Sequence, residues 1–504
     1  MSQIRRQSII SSILVYIGFA LGFLNTYLFT REGGFTKEQY GLTSLFIQVA
    51  TLMLSLATFG MPSFIFKFFP YYKANLSPKK NDMLSWALAI SIIGFCLLII
   101  GGFIFKDLVI RKFSNGSKYF VDYYQWVFPF GLGLTLYTVL EAYSWQIRKT
   151  VLTNFLREIQ FRLFTTILIL LFMAGILTSF DTFVKLYSFT YLGIALILII
   201  YLISTRQFYL TLKPSIVSKK YFKKIVTLCS FVYGGGIVFT LSGVFDILVI
   251  AAALPNGLAF AGIYALAPNI SSLIQAPQRG IISSSIAALS QAWKDKDLKK
   301  INRIYHGSSI NQIIFSVAIF ALIWLNFTDG VFTFRLQKDY LAAERIFFFI
   351  GLMRIIDMGT GVNAQIIATS TFWRFDFFTG VILVCITLPF NYMLTKNLGA
   401  IGPAIANLVS FSIYNFIRYL YLLKKFNMQP FNAKSLYTII LGIAAYYLAY
   451  FLFRNQQGLL WIICRSATFC LVFGTGVLVL KLSPDILPVW QTMMRKFRIK
   501  NTST

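Results

Sequence analysis

Apolar stretches long enough to cross a bilayer follow one another along nearly all of this 504-residue chain. The short loops between them alternate between rich and poor in lysine and arginine. A hydrocarbon core of about 30 Å is crossed by roughly 20 apolar residues in a helix, and within it each backbone group must be satisfied inside the segment. An all-α polytopic membrane protein is the fold that meets both demands. About 14 such segments can be drawn, at 9–30, 39–62, 84–105, 124–146, 156–178, 184–205, 225–252, 258–286, 305–326, 345–368, 373–395, 399–423, 433–453 and 458–481.

The net charge of +29 would suggest nucleic-acid binding in a soluble chain. Here the charges sit in short loops, and only 12% of residues are charged against about 25% in ordinary globular proteins. With the N-terminus in the cytoplasm, about 31 basic residues fall inside and about 12 outside. The inner set runs from Arg5 and Arg6 through Lys67, Arg148, Arg206, Lys219, Lys294, Arg374 and Arg418 to the tail. Both termini are then cytoplasmic, which requires an even number of spans. The same loops are expected to bind anionic lipid headgroups. Arg5-Arg6 precedes a first span rather than a cleaved signal, because no small-residue cleavage site follows. The five cysteines lie in apolar segments without CxxC spacing and are expected as small core residues.

The hydrophilic stretches near 63–83, 106–123, 206–224, 287–304 and 327–344 are each only about 20 residues long. A large extracytoplasmic domain is excluded. The basic stretch 206–224 divides the chain into an N-terminal six-helix bundle (1–220) and a C-terminal one (221–428). A last piece, 429–504, carries spans 13 and 14. The halves echo each other: Gly18 and Tyr40-Gly41-Leu42 in the first, Tyr233 to Gly236 and Gly262-Ile263-Tyr264 in the second. Transporters are often built from such repeats, with the substrate site where they meet.

No hydrolase, zinc-protease, P-loop or dinucleotide motif is present, and the single His306 stands at a helix start. No enzyme, cofactor or metal is expected. The chemistry lies in polar groups at membrane depth, each costing about 2.5–3.5 kcal/mol on insertion scales if charged. They are Glu141 in the fourth span, Asp246 in the seventh, Gln275, Gln278 and Arg279 in the eighth, and Arg354 and Asp357 in the tenth. Arg465 lies in the fourteenth span, and Asn25 and Asn363 add neutral amides. Arg354 and Asp357, three residues apart, can neutralise each other on one helix face. Arg465 can snorkel toward the interface. Asp246 and Arg279 either pair with each other or face a water-filled cavity, and Pro277 loosens the helix beside Arg279.

The opening RRQSIISSILVYIGFALGFLNTYLFTREGGFTKEQYGLTSLF resembles the first hairpin of polysaccharide (O-antigen type) flippases. AGIYALAPNISSLIQAPQRGIISSSIAALSQAW resembles that family's eighth helix and LGAIGPAIANLVSFSIYNFIRYLYLLKK its twelfth. The resemblance runs over the whole length. It implies membership of the multidrug/oligosaccharidyl-lipid/polysaccharide exporters, with two six-helix bundles, a central cavity and alternating access. It implies movement of a polyprenyl-diphosphate-linked oligosaccharide across the inner membrane, among membrane lipids; no nucleic acid is expected as a partner, and the protein is expected as a monomer. Arg279 and then Arg354 are the candidates for the diphosphate, Tyr233 and Tyr264 for sugar faces, and Asp246 for cation coupling. Drug-exporting relatives use a carboxylate in the first helix, where this chain has only Asn25. Lipid II flippases carry arginines within the first two helices, and none lies within 9–30 or 39–62. A small-molecule exporter, a lipid II flippase and a glycan polymerase remain the alternatives.

Overall fold

The computed structural model describes residues 3–114 and 116–483, and all its regular elements are helical. The chain forms two compact units, residues 1–265 and 266–504.

Unit 1 contains α1 (Gln3–Thr30), α2 (Lys37–Ala57), α3 (Met61–Asn75), α4 (Met83–Ile104), α5 (Lys106–Phe113) and α6 (Lys118–Asp122). It continues with α7 (Val127–Gln146), α8 (Thr150–Asn154), α9 (Phe161–Met173), α10 (Phe180–Ser188), α11 (Thr190–Ser204) and α12 (Ile216–Ala253). The first turns of α13 (Gly257–Lys294) complete it. Unit 2 holds the rest of α13, then α14 (Leu298–Thr333), α15 (Ala343–Gly359), α16 (Asn363–Ala368), α17 (Trp373–Leu398), α18 (Gly402–Phe426), α19 (Ala433–Leu452) and α20 (Leu459–Val479).

Local chemistry sets the helix starts. Thr36 caps α2 in a reciprocal box: its hydroxyl accepts from the Gln39 amide at 3.2 Å, and Gln39 Oε1 accepts from the Thr36 N–H at 2.9 Å. Asp82, fully buried, accepts from the Ser215 N–H at 2.8 Å and the Ser218 hydroxyl at 2.7 Å. It thus places a carboxylate at the positive end of α12. Tyr72 in α3 joins this network through Ser218 at 2.7 Å. Burial pushes its hydroxyl up to about 12, so it stays protonated. These ties, with packing of α12 on α2 and α3, place the basic stretch 206–224 within unit 1.

All fourteen apolar stretches are helical, but ten helical segments combine the length and apolarity needed to cross a membrane. The difference has two causes. The eleventh and twelfth stretches run together as one 53-residue segment, Arg374–Phe426. The fourth, fifth and tenth fall short because they carry Glu141, then Arg157, Glu158 and Arg162, then Arg354 and Asp357. Two of these three are also broken, by the π-turn Phe155–Gln160 and by the gap between α15 and α16. The helices carry large apolar residues on their outer faces, such as Ile93, Leu97, Ile200 and Leu471, each more than half exposed. In water this would be an aggregation surface, and in hydrocarbon it costs nothing. The cysteines follow the same rule. Only Cys229 is buried, while Cys96, Cys385 and Cys470 are exposed, because an apolar thiol gains nothing from the interior when the surroundings are equally apolar.

Helices in such surroundings associate through close backbone contact at small residues. The two halves of the sequence echo meet in this way. A Cβ on Gly41 would stand 1.9 Å from Leu258 O, and one on Gly262 would stand 2.2 Å from Lys37 O. Gly41→Ala should therefore force α2 and α13 apart, an overpacking strain of about 1–3 kcal/mol. The melting temperature of the detergent-solubilised protein should fall. Gly101→Ala, with open space around it, is the matched control. Equal melting temperatures for the two variants would refute the close crossing.

In unit 2, α19 and α20 pack on α14 around Val317, Ala445, Phe469 and Phe473, so the C-terminal pair is an integral layer of that unit.

Candidate functional site

Three of the residues singled out from sequence converge in unit 2. The tenth stretch breaks after Gly359, where Gly361 takes a left-handed φ of 64°. A side chain there would meet Ser308 Oγ at 2.7 Å. The carbonyl released at Gly359 accepts from the Ser309 hydroxyl at 2.6 Å. Asp357 stands in the last turn before this break, at the negative end of α15, where a carboxylate is disfavoured by the helix dipole. Asn415 on α18 offsets that cost by donating to Asp357 Oδ1 at 3.0 Å, and Gln278 Nε2 approaches Oδ2 at 3.5 Å. The Asn415 Oδ1 in turn accepts from Thr360 Oγ1 at 3.1 Å and Asn363 Nδ2 at 3.2 Å. Asn415 and Asn363 are buried. One turn beyond Asn415, buried Arg418 pairs with Asp376 of α17 and lies over the Tyr414 ring at 3.9 Å. A half-buried acid framed by amides at the mouth of a broken helix suits a proton or a small cation, as at discontinuous helices in transporters. Among the described residues no group of three His, Cys, Asp or Glu side chains could hold a metal ion.

A second polar centre lies in unit 1. Glu141, buried, pairs with Arg157 at 2.9 Å, and Glu158 pairs with Arg162 at 3.1 Å. Arg157 and Glu158 occupy the π-turn, a feature that concentrates at functional sites. Asn25 ties α1 to this segment: its amide donates to Arg162 O at 2.9 Å and its carbonyl accepts from Thr166 at 2.6 Å. Gly18 and Gly22 lie flush against the same segment, and Arg162 donates to Gly18 O. Arg157 and Arg162 thus belong to one polar network that joins α1, α7 and the start of α9.

The other predicted residues are placed separately. Asp246 accepts a 2.5 Å hydrogen bond from the Tyr264 hydroxyl. Tyr233 donates to Leu56 O at 3.2 Å, stacks near Phe59 and lines an apolar cavity with Trp86 and Phe222. Gln275 and Arg354 are half-buried, and Arg279 is exposed on α13. Arg465 does not snorkel. It is buried and paired with Asp329, which lies inside α14 rather than in an outer loop. Sequence reading missed Asn415, Asp376, Glu158 and Asp329. The i,i+4 spacing of Glu158 and Arg162 was the one local signal available for any of them.

The sequence matches no protein-family model and no curated protein. Solved structures share the fold. One described as lipid II flippase MurJ in an inward closed conformation aligns with a TM-score of 0.73 at 15% identity, covering 94% of this chain and 98% of that one. An inward-facing multidrug resistance MATE family transporter of the MOP superfamily aligns at 0.65 and 15% identity, covering 83% and 98%. An outward-facing one gives 0.56 and 13%, covering 84% and 95%. At these identities the likeness is one of fold: an all-helical, multi-pass architecture found in a flippase and in multidrug transporters.

Proposed function

We propose that this protein is a monomeric flippase of the bacterial cytoplasmic membrane with both termini in the cytoplasm. It carries an undecaprenyl-diphosphate-linked oligosaccharide, an O-antigen or exopolysaccharide repeat unit, to the outer leaflet by alternating access. The observation that carries this reading is the fold likeness to a lipid flippase over 94% of the chain. The resemblance of the first, eighth and twelfth spans to glycan flippases names the cargo. The solved structures that share the fold are a flippase and multidrug transporters, which supports a transporter rather than an enzyme.

The physical task is to move a sugar and diphosphate through hydrocarbon while the lipid tail stays in it. A polar path through the protein, with a lateral opening for the tail, solves it. Arg279 and Arg354 bind phosphate, Gln275, Gln278, Asn25 and Asn363 offer amide contacts, and Tyr233 and Tyr264 pack on sugar rings. A membrane potential negative inside drives outward anion movement by about 2.3 kcal/mol per charge per 100 mV. Asp357, framed by Asn415 and Gln278, is the best placed acid for any coupled proton or cation, with Asp246 and Glu141 next.

One observation favours lipid II as a second reading. Arg162 reaches Gly18 O, so a guanidinium does stand against the first helix although none lies within its sequence. Depletion separates the cargoes. Cells depleted of the protein should accumulate lipid-linked repeat units accessible from the cytoplasmic face. Accumulation of lipid II would install the second reading, and accumulation of neither would refute both.

A further inference from the structure

At one end of unit 1, α3, α7 and α11 finish around a single cavity of about 690 Å³. Lys73, Arg148 and Arg206 line it, with the rings of Tyr143 and Tyr209 and the side chain of Gln207, and no carboxylate stands among its lining residues. The two arginines are placed by the same local device. Arg148 N–H reaches Trp145 O at 3.1 Å and Lys149 N–H reaches Ser144 O at 2.9 Å. Arg206 N–H reaches Ile203 O at 3.0 Å and Gln207 N–H reaches Leu202 O at 2.9 Å. Both are Schellman caps, whose left-handed position favours glycine. Here it holds Arg148 with φ 62° and Arg206 with φ 52°.

Cations recur at such positions in this chain, as at Lys296, Arg335 and Lys481, and they offset the helix dipole there. Arg148 and Arg206 differ in converging, with Lys73, on one acid-free cavity. The Oε1 of Gln207 is buried without a hydrogen-bond partner, and such an acceptor calls for a donor such as a hydroxyl group.

We propose that this cavity is a binding site for a phosphorylated headgroup. The phosphate or diphosphate oxygens lie on Lys73, Arg148 and Arg206, where guanidinium forks can take them two at a time. The hydroxyl-bearing part lies against Gln207 and the two tyrosine rings. The volume falls within the range of small-ligand sites, about 300–1,000 Å³. On the proposed topology the site faces the cytoplasm and meets the headgroup of a lipid before any crossing. It is built entirely from unit 1 and does not depend on Arg279 or on transport. The phosphate can come from a diphosphate-linked cargo or from an anionic phospholipid.

The test uses the preference of the caps themselves. Arg148→Gly and Arg206→Gly remove both guanidinium groups while supplying the residue that the left-handed position favours, so the double variant should melt no lower than wild type. Inorganic pyrophosphate should raise the melting temperature of the full-length wild type in detergent, saturably. Half-saturation in the double variant should need at least about tenfold more. In parallel, melting is compared in phosphatidylcholine vesicles with and without phosphatidylglycerol. A response to pyrophosphate lost in the variant assigns the site to diphosphate. A response to phosphatidylglycerol alone, again lost in the variant, assigns it to the phospholipid headgroup. Equal behaviour of wild type and variant toward both probes overturns the proposal, whatever the protein transports.

Discussion

Arg465→Ala should leave little folded protein in the membrane. Arg465 and Asp329 are both buried and paired across α20 and α14. Asp329 also holds the start of α20, accepting from the Gly458 N–H at 3.0 Å, and receives the Thr333 hydroxyl at 3.2 Å. Removing the cation strands a carboxylate inside the α14–α20 layer. Breaking a buried pair from one side costs about 3–5 kcal/mol. That is a large share of a typical stability of about 5–15 kcal/mol. The double variant Asp329→Leu with Arg465→Leu removes the charge problem and should recover part of the loss, since neighbouring sites couple. Fluorescence of a C-terminal reporter in isolated membranes gives the abundance. Wild-type abundance for Arg465→Ala would mean that the pair carries no structural weight.

Arg279 should behave in the opposite way. Arg279 is exposed on α13, and on the proposed function Arg279→Ala should leave abundance and melting unchanged. Glycan export should nevertheless be abolished, because a diphosphate needs cationic partners within reach. Arg279→Lys should retain only part of the activity, since an ammonium keeps the charge but loses the bidentate fork. Surface glycan, measured at matched protein levels, is the readout. Full export by a normally expressed Arg279→Ala variant would remove Arg279 from the transport path.

The contrast between these two arginines shows what the sequence could convey. The apolar stretches and their helical state were legible, because the bilayer demands about 20 apolar residues per crossing and permits little else. The break in the tenth stretch was not: 345–368 reads as one span, although Gly359 and Gly361 flank Thr360 there. Nor were depth and partners. Arg465 lies 136 residues from Asp329 in sequence, and Asn415 lies 58 from Asp357. Nothing local distinguishes a snorkelling arginine from a paired one. Asn415 drew no attention because a neutral amide in an apolar helix has no local mark of its role. Gln278, Asp357 and Asn363 were singled out individually for being polar at membrane depth, and the fold brought them together. Arg157 and Glu158 were hidden by the π-turn, which shifts side chains off the ordinary helical register.

On the proposed function, this chain flips a diphosphate-linked oligosaccharide without altering it. Purified protein in sealed vesicles, loaded with a fluorescent undecaprenyl-diphosphate oligosaccharide in both leaflets, tests it most directly. A membrane-impermeant reductant that irreversibly destroys the headgroup fluorophore quenches only glycan lipid that reaches the outer leaflet. With active protein the quenchable fraction should rise from about half toward the whole as the inner pool reaches the outer leaflet, while the glycan stays chemically intact. A quenchable fraction fixed at the protein-free value, in vesicles where the protein is folded and correctly inserted, would contradict the account.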